Sequence, residues 1–467
     1  MKRAYTSFRR GVFAAVDRLD VLRRSIAGIP LAFCGFAFQK AFISIQNIPA
    51  SSVFVDNPPS SYGLIYGFSA VLVAVLALKV DAKRLRKLML PSAVLLQIAS
   101  IAVLCVAYLR PATWPIGLML ATSLIRACGV VFFSALWVDL YATLNPVRVA
   151  FLNAVSILLA EMLIYLVEMN PLNRIFVVAF ALPLATGISY HLAANDSKNG
   201  IEEERPRAFP ASAVFPFPIK VMAFIGACSF AYGVVSISTN AVLARHAAVI
   251  PALVVLVFVI INTKRFSISL LYRLAFPLMV CGFLLIALVP GAAQPLPSTM
   301  LYAGFASVEM LLLLMVCAIS YSTEASALWL FGLLTAVQFF SRQAGDWLER
   351  AVGGGIVLVV IAVALIIITS LPIMTEKSLF TIWRAHASND GDEDFIKVRL
   401  SSLASACALT DREVEVLYLL VQRRTNDDIA QNMFISTGTV KTHVYHIYQK
   451  LGVHTRKELM ALIRGRT

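Results

Sequence analysis

The chain has 467 residues, 59% hydrophobic and 14% charged, with a mean hydropathy of +0.80 and a formal net charge of +14. Soluble domains carry about 25% charged residues, so a wholly soluble globular protein is excluded and most of the chain belongs in lipid. The positive surplus is not in itself a nucleic-acid signal, because cytoplasmic loops of membrane proteins also collect Lys and Arg.

The N-terminal arm is basic, with Lys2, Arg3, Arg9, Arg10, Arg18, Arg23 and Arg24. The apolar run behind it lacks a small-residue cleavage pattern, so it reads as a retained first span and not as a removed leader. A spanning helix needs about 20 predominantly apolar residues. Runs of that kind lie near 26–46, 62–80, 88–109, 114–141, 149–169 and 174–193. After a polar break from Ala194 to Pro218 they resume near 219–238, 242–262, 268–289, 299–321, 325–343 and 353–374. The expectation is an all-α chain with twelve spans arranged as six plus six.

Orientation follows from the basic residues. The N-terminal arm, the 79–87 loop, the central break (Lys198, Arg205, Arg207, Lys220) and the 263–266 loop (Lys264, Arg265) alternate with loops at 47–61 and 290–298 that hold neither Lys nor Arg. The basic set is expected to face the cytoplasm, and an even number of spans returns the C-terminus to that side. A loop expected at 344–352, flanked by Arg342 and Arg350, runs against the rule. Those two arginines read as interface anchors or buried charges.

Two six-helix halves joined by a charged linker resemble the major facilitator superfamily. The segment Lys79-Val80-Asp81-Ala82-Lys83-Arg84-Leu85-Arg86-Lys87 resembles that family's acidic-plus-basic signature after its second span. It lacks the family's glycines, and the second half holds no clear copy. The resemblance implies a transporter-like bundle.

Ionisable groups inside spans are costly and mark candidate sites. Arg126 and Glu161 each sit mid-span, and Glu309 interrupts the tenth run. Arg126 and Glu161 could pair across adjacent helices and fix packing, or line a midplane cavity of the kind that binds ligands in transporters. Glu168, His191, Arg245, His246 and Arg273 lie near span ends, where snorkelling to the headgroups accounts for them.

Six of the seven cysteines fall in apolar runs and no pair has CxxC spacing, so they read as small buried apolar residues. There is no glycine-rich phosphate loop, metal-spaced His/Cys cluster or nucleophile motif. No enzymatic chemistry, cofactor or metal is expected.

The composition changes after Met374. Residues 375–407 are polar, with an acidic patch at Asp390, Asp392, Glu393 and Asp394, and read as a linker. The last sixty or so residues are patterned as a small helical domain. Thr410-Asp411-Arg412-Glu413 is a capping box opening a first helix, whose apolar face is Val414, Leu417, Leu420 and Val421. A second helix starts near Thr425, with Asp427 and Asp428 at its positive end. After the turn Phe434-Ile435, Ser436 caps a third helix with the buried stripe Val440, Val444, Ile447 and Leu451, and Gly452 ends it. Thr455-Arg456-Lys457-Glu458 opens a fourth.

Two short helices, a tight turn and a longer amphipathic helix form a helix-turn-helix, whose third helix here is expected to enter the DNA major groove. With its apolar stripe inward, Lys441, Thr442 and Tyr445 project outward. Lys donates to guanine O6 and N7, and Thr bonds a base or touches a thymine methyl. Arg412, Arg424, Lys450, Arg456 and Lys457 are candidate phosphate contacts, which position without reading sequence. His443 and His446 are spaced as metal ligands on a helix can be, yet no third ligand accompanies them.

The segments Leu409 to Leu417, Asn426 to Ala430, Ser436-Thr437-Gly438-Thr439-Val440-Lys441-Thr442-His443-Val444 and Ile447 to Val453 resemble the LuxR/NarL-type DNA-binding domain, nearly without gaps from about 409 to 463. That resemblance implies base contacts from Lys441, Thr442 and Tyr445, with Thr439 beside them, and dimerisation through the final helix. Arg423 stands where the family usually has Gly, and Tyr445 where Lys or Ser is common.

The expected organisation is a basic arm at 1–25, membrane halves at 26–193 and 219–374, linkers at 194–218 and 375–407, and the DNA-binding domain at 408–467. The expected function is a membrane-tethered transcriptional regulator in a bacterial cytoplasmic membrane, with both termini cytoplasmic. Its spans sense a small molecule and control a helix-turn-helix that dimerises on double-stranded DNA. The alternative is a secondary transporter of a small solute with an appended regulatory DNA-binding tail.

Overall fold

The structure, a computed structural model, describes residues 31–46, 62–109, 116–170, 172–199, 216–235, 246–261, 269–288, 295–322, 325–353, 355–374, 400, 407, 409–421, 424–456 and 458–459. It is all-α among these residues and divides into two compact units. One comprises Met1–Glu204, Pro216–Tyr321 and Ala325–Thr375; the other comprises Arg205–Phe215, Ser322–Glu324 and Glu376–Thr467. The basic arm, the 47–61 and 263–266 loops, residues 200–215 of the central break and residues 375–399 of the linker lie outside the described residues.

In the larger unit a 3₁₀ turn, Leu31–Gly35, leads into α1 (Phe36–Ile45), followed by α2 (Tyr62–Lys79), α3 (Ala82–Leu109), α4 (Ile116–Tyr141), α5 (Pro146–Glu168) and α6 (Leu172–Asn199). Then come α7 (Pro216–Val235), α8 (Val249–Ile261), α9 (Ser269–Leu288), α10 (Pro295–Ser322), α11 (Ala327–Val352) and α12 (Ile356–Met374). Each apolar run read from the sequence overlaps one of these helices. By length and composition, 5 described helical segments can cross a membrane, and six shorter apolar helices accompany them. Leu72, Leu95, Val177, Ile188, Val357 and Ile368 point outward from the unit. Such a surface suits hydrocarbon, where backbone polar groups must be satisfied inside each helix.

Local chemistry sets the ends. Asn145 caps α5 by accepting from Val147 N, with Pro146 at the first helical position, where its missing N–H costs nothing. The Asp81 carboxylate accepts from Lys83 N at 3.1 Å, opening α3, and Arg86 reaches across to Asp139 near the end of α4. The stretch Lys79 to Lys87 is thus the helix start and an ion pair, and not only a charged loop.

Two sequence expectations are corrected. The stretch 344–352 is not a loop: α11 runs on to Val352 and stops at Gly353, whose φ of +82° is the left-handed conformation glycine tolerates. Arg342, Asp346 and Arg350 recur every four residues, so one helical face carries all three and no turn is needed to reach water. The break read from Ala194 to Pro218 is helical at both ends, because α6 continues to Asn199 and α7 starts at Pro216. A helix propagates past the end of its apolar run as long as nothing breaks it, and Pro216 suits a helix start.

Within the unit, α11 packs against both α2 and α7. The α7 contact is glycine on both sides: a Cβ on Gly233 would overlap the Arg342 carbonyl oxygen, and one on Gly345 would overlap the Phe230 carbonyl oxygen. Small residues bring membrane helices close enough for backbone contact.

The smaller unit holds α13 (Asp411–Val421), α14 (Asn426–Met433) and α15 (Thr437–Leu451) around Val416, Leu417, Leu420, Ile429, Val440 and Ile447. The Thr410/Glu413 capping box forms, with Glu413 N donating to Thr410 Oγ1 at 3.4 Å and Thr410 N donating to Glu413 Oε2 at 2.8 Å. A second box, unread in the sequence, opens α14: Asp428 N donates to Thr425 Oγ1 at 3.2 Å and Thr425 N to Asp428 Oδ2 at 3.0 Å. Ser436 caps α15 and Gly452 closes it at φ +64°. On α13 Val416 joins Leu417, Leu420 and Val421 in the core, while Val414 is half-buried. Of the fourth helix, Thr455 accepts from Glu458 N at 3.1 Å. Lys457 and residues 460–467 lie outside the described residues, as does Arg423.

Candidate functional site

The larger unit encloses a cavity of about 930 Å³, in the range of small-molecule sites. Its wall is built from α1, α2, α4, α5, α7, α10 and α11. Arg126 on α4, Glu161 on α5 and Glu309 on α10 all contribute to it. Three ionisable residues far apart in sequence therefore converge on one space.

Their partners differ. The Glu161 carboxylate is taken by His246, whose Nδ1 lies 2.7 Å from Oε2. The same ring reaches Glu168 Oε2 through Nε2 at 3.3 Å. His246, expected to snorkel outward, instead fastens the turn before α8 to α5, because two carboxylates seven residues apart stand on one helical face. Glu309 lies within the helices with its carboxylate open to the cavity, and it accepts from Gln338 Nε2 at 3.4 Å. Arg126 is 4% exposed.

The cavity also holds Arg342 and Arg350, read from the sequence as interface anchors or buried charges, and two charges not singled out there, Lys40 and Asp346. Lys40 carries the same signal as Glu309, an ionisable side chain in an apolar run, and belongs with it. Its ammonium sits 4.7 Å from the Phe36 ring centre. The Arg342 guanidinium lies 4.6 Å from the Tyr232 ring centre, and Tyr232 in turn stacks on Phe305 at 4.2 Å. Asp346 is engaged by Arg350 Nε at 3.2 Å and by Gln343 Nε2 at 3.1 Å, and Gln343 Oε1 accepts from Gly63 N at 3.0 Å. That relay ties the start of α2 to α11.

In the smaller unit, α15 presents Thr439, Lys441, Thr442 and Tyr445 to solvent. Thr442 Oγ1 donates to Gly438 O at 3.2 Å, leaving its lone pairs outward, and the Tyr445 hydroxyl accepts from Gln449 Nε2 at 3.2 Å. Arg424 is exposed beside Asp428. Lys450 and Arg456 are committed elsewhere. Lys450 Nζ lies 2.7 Å from Glu413 Oε2. Arg456 donates to the carbonyls of Leu420 and Arg424 at 2.8 and 2.7 Å. Both hold the domain together, since α13 ends with carbonyls that have no intrahelical donor. Glu413 is 4% exposed. The hydrogen bond from Lys450, aided by the Thr410 N–H, holds its carboxyl at about 2.

No group of three or more His, Cys, Asp or Glu able to hold a metal occurs among the described residues. His446 Nδ1 stands 3.9 Å from Glu413 Oε1.

Comparison with known proteins separates the two units. Residues 407–463 match the family model GerE, "Bacterial regulatory proteins, luxR family". The HTH-type transcriptional regulator MalT of Vibrio campbellii is 39% identical over 72 residues, 14% of this chain and 8% of that protein. The CsgBAC operon transcriptional regulatory protein of Escherichia coli is 41% identical over 63 residues, 14% of this chain and 29% of that protein. The chain thus spans less than a third of the curated relatives it matches. Among solved structures, the human organic anion transporter MFSD10 aligns with TM-score 0.44 and 14% identity over 79% of this chain and 99% of that one. The E. coli fucose:proton symporter FucP aligns with TM-score 0.42 and 10% identity over 74% and 98%. Both scores are below 0.5, and neither carries a fold or a ligand over to this chain. The C-terminal segment thus resembles LuxR-type helix-turn-helix domains, and it follows a unit of long apolar helices.

Proposed function

We propose that this chain couples solute binding in a membrane unit to DNA binding by its C-terminal domain. The observation that supports the reading is a charged, aromatic-lined cavity among apolar helices in a chain that ends in a LuxR-type domain. The organisation is twelve spans as six plus six (26–193 and 219–374), with a basic arm at 1–25, linkers at 194–218 and 375–407 and the DNA-binding domain at 408–467. Alternation of basic and non-basic loops supports cytoplasmic termini in a bacterial cytoplasmic membrane. Lys441, Thr442 and Tyr445 read bases, Thr439 and Arg424 contact the backbone, and two tails dimerise on DNA through their final helices. The protein performs no catalysis.

Two readings share this architecture. In one, the membrane unit is a secondary transporter of a small solute and the tail is regulatory. In the other, the unit is a sensor that only binds, and ligand shifts it between two arrangements by binding them unequally. The cavity favours the first for the membrane unit, because Glu161 with His246 and the open Glu309 give it exchangeable groups of the kind coupled carriers use. The tail supports DNA control in either.

Chromatin enrichment of the tagged full-length protein, beside a Lys441→Ala/Thr442→Ala variant, tests the DNA half. Discrete loci that vanish in the variant are expected; the absence of loci under every growth condition sinks it. Solute uptake into vesicles, lost in Glu309→Gln, distinguishes transporter from sensor.

A further inference from the structure

The charges on the cavity wall do not balance locally. Asp346 is occupied by Arg350 and Gln343, and Glu161 by His246. Lys40 and Arg342 then share the carboxylate of Glu309, whose field acts on both, and Lys40 also feels the His246-bound Glu161. Neither cation lies on a carboxylate within salt-bridge distance among the described residues; each rests instead on an aromatic face, Phe36 for Lys40 and Tyr232 for Arg342. Stacking a guanidinium on a ring leaves its edge N–H groups in the plane, the geometry that grips a carboxylate with two bonds. In a low-dielectric surround, an excess of one sign draws in a counter-ion.

Rings form part of the wall, among aliphatic and polar side chains. Tyr66 stacks on Phe339 with centroids 5.0 Å apart, Tyr232 on Phe305 at 4.2 Å, and Tyr302 meets Tyr232 edge-on at 5.3 Å. Flat faces suit a flat apolar body.

We propose that the cavity is a binding site for an organic monoanion with an aromatic or similarly flat apolar body, its anionic group held between Lys40 and Arg342. Glu309 is the resident counter-charge with which the ligand's anionic group competes. This rests on the reading of the cavity as a solute site and adds the chemical class of the solute.

The test uses the full-length protein in nanodiscs, titrated with benzoate, benzamide and benzylamine, three probes of one shape and different charge. Ligand-induced shifts in melting temperature supply the affinity. Benzoate is expected to bind at least tenfold more tightly than the amide or the amine. Arg342→Gln and Lys40→Gln are each expected to weaken benzoate at least tenfold, and Glu309→Gln to tighten it. Arg342→Lys, which keeps the charge and loses the planar fork, serves if the glutamine variant does not fold, and falls in between. Equal or tighter binding of benzylamine or benzamide overturns the proposal, as does a benzoate response indifferent to Lys40 and Arg342, or no saturable benzoate response. Failure of the underlying reading looks different: benzoate binds as expected, yet neither uptake nor promoter occupancy changes with it.

Discussion

His246 bridges two carboxylates of one helix, with Nδ1 2.7 Å from Glu161 Oε2 and Nε2 3.3 Å from Glu168 Oε2. The bridge ties the turn ahead of α8 to the end of α5 and holds a cavity-lining carboxylate in place. A double-mutant cycle of His246→Gln and Glu161→Gln, read by thermal melting of the full-length protein, is expected to show coupling of about 1–3 kcal/mol, the range for contacting polar partners. Additive effects would mean that the pair contributes nothing as a pair.

The Glu413–Lys450 bond makes a second prediction. The folded carboxyl titrates at about 2, against 4.5 for the free side chain. A depressed folded value means that the stabilisation is complete above about pH 4.5 and is lost as pH falls toward 2. Glu413→Gln should therefore speed amide exchange across α13 and α15 at pH 6, by an amount corresponding to about 1–3 kcal/mol. The difference from the unsubstituted protein should shrink as the sample is acidified. A difference that holds constant down to pH 3 would count against the charged bond.

Lys441 and Lys450 should separate on DNA, although both are lysines on α15. Lys441 is exposed, whereas Lys450 is bound to Glu413. On a site recovered by chromatin enrichment, Lys441→Ala is expected to cost about 1–3 kcal/mol and to relax sequence preference, as loss of a base contact does. Lys450→Ala should leave the salt dependence of binding unchanged and appear as faster exchange in α13. A salt slope reduced by about one in Lys450→Ala would return that residue to the phosphate contacts.

Much of this was legible in the chain, and the reasons for the rest are specific. Apolar length revealed the helices because the membrane demands about 20 such residues whatever the fold. Thr410, Ser436 and Gly452 marked helix ends because capping is local chemistry within four residues. Arg126, Glu161 and Glu309 stood out because a charge in a span is costly, and they do meet at one cavity. Their partners did not follow, since whether Glu161 meets Arg126 or His246 is decided by helix rotation and crossing, which single-chain periodicity does not encode. The 344–352 stretch misled because charge in an apolar context reads as a loop, while a four-residue repeat equally builds one polar face of a helix. Lys450 and Arg456 read as candidate phosphate contacts, and nothing local shows that Glu413, or the carbonyls of Leu420 and Arg424, lie within their reach.

The glycine contact between α7 and α11 makes the last prediction. Gly233 faces the Arg342 carbonyl and Gly345 faces the Phe230 carbonyl, so neither backbone has room for a side chain. Gly345→Ala forces the helices apart, and Gly345→Val does so further, at a cost of about 1–3 kcal/mol for an overpacked contact. Arg342 rides on the same helix, one turn from Gly345, so the displacement also moves its guanidinium from the Tyr232 ring. Gly117, by contrast, has nothing near its missing Cβ. Gly345→Val should therefore lower the melting temperature of the full-length protein by several degrees, while Gly117→Val changes it little. Equal effects at the two positions would mean that the α7–α11 approach is not close enough to require glycine.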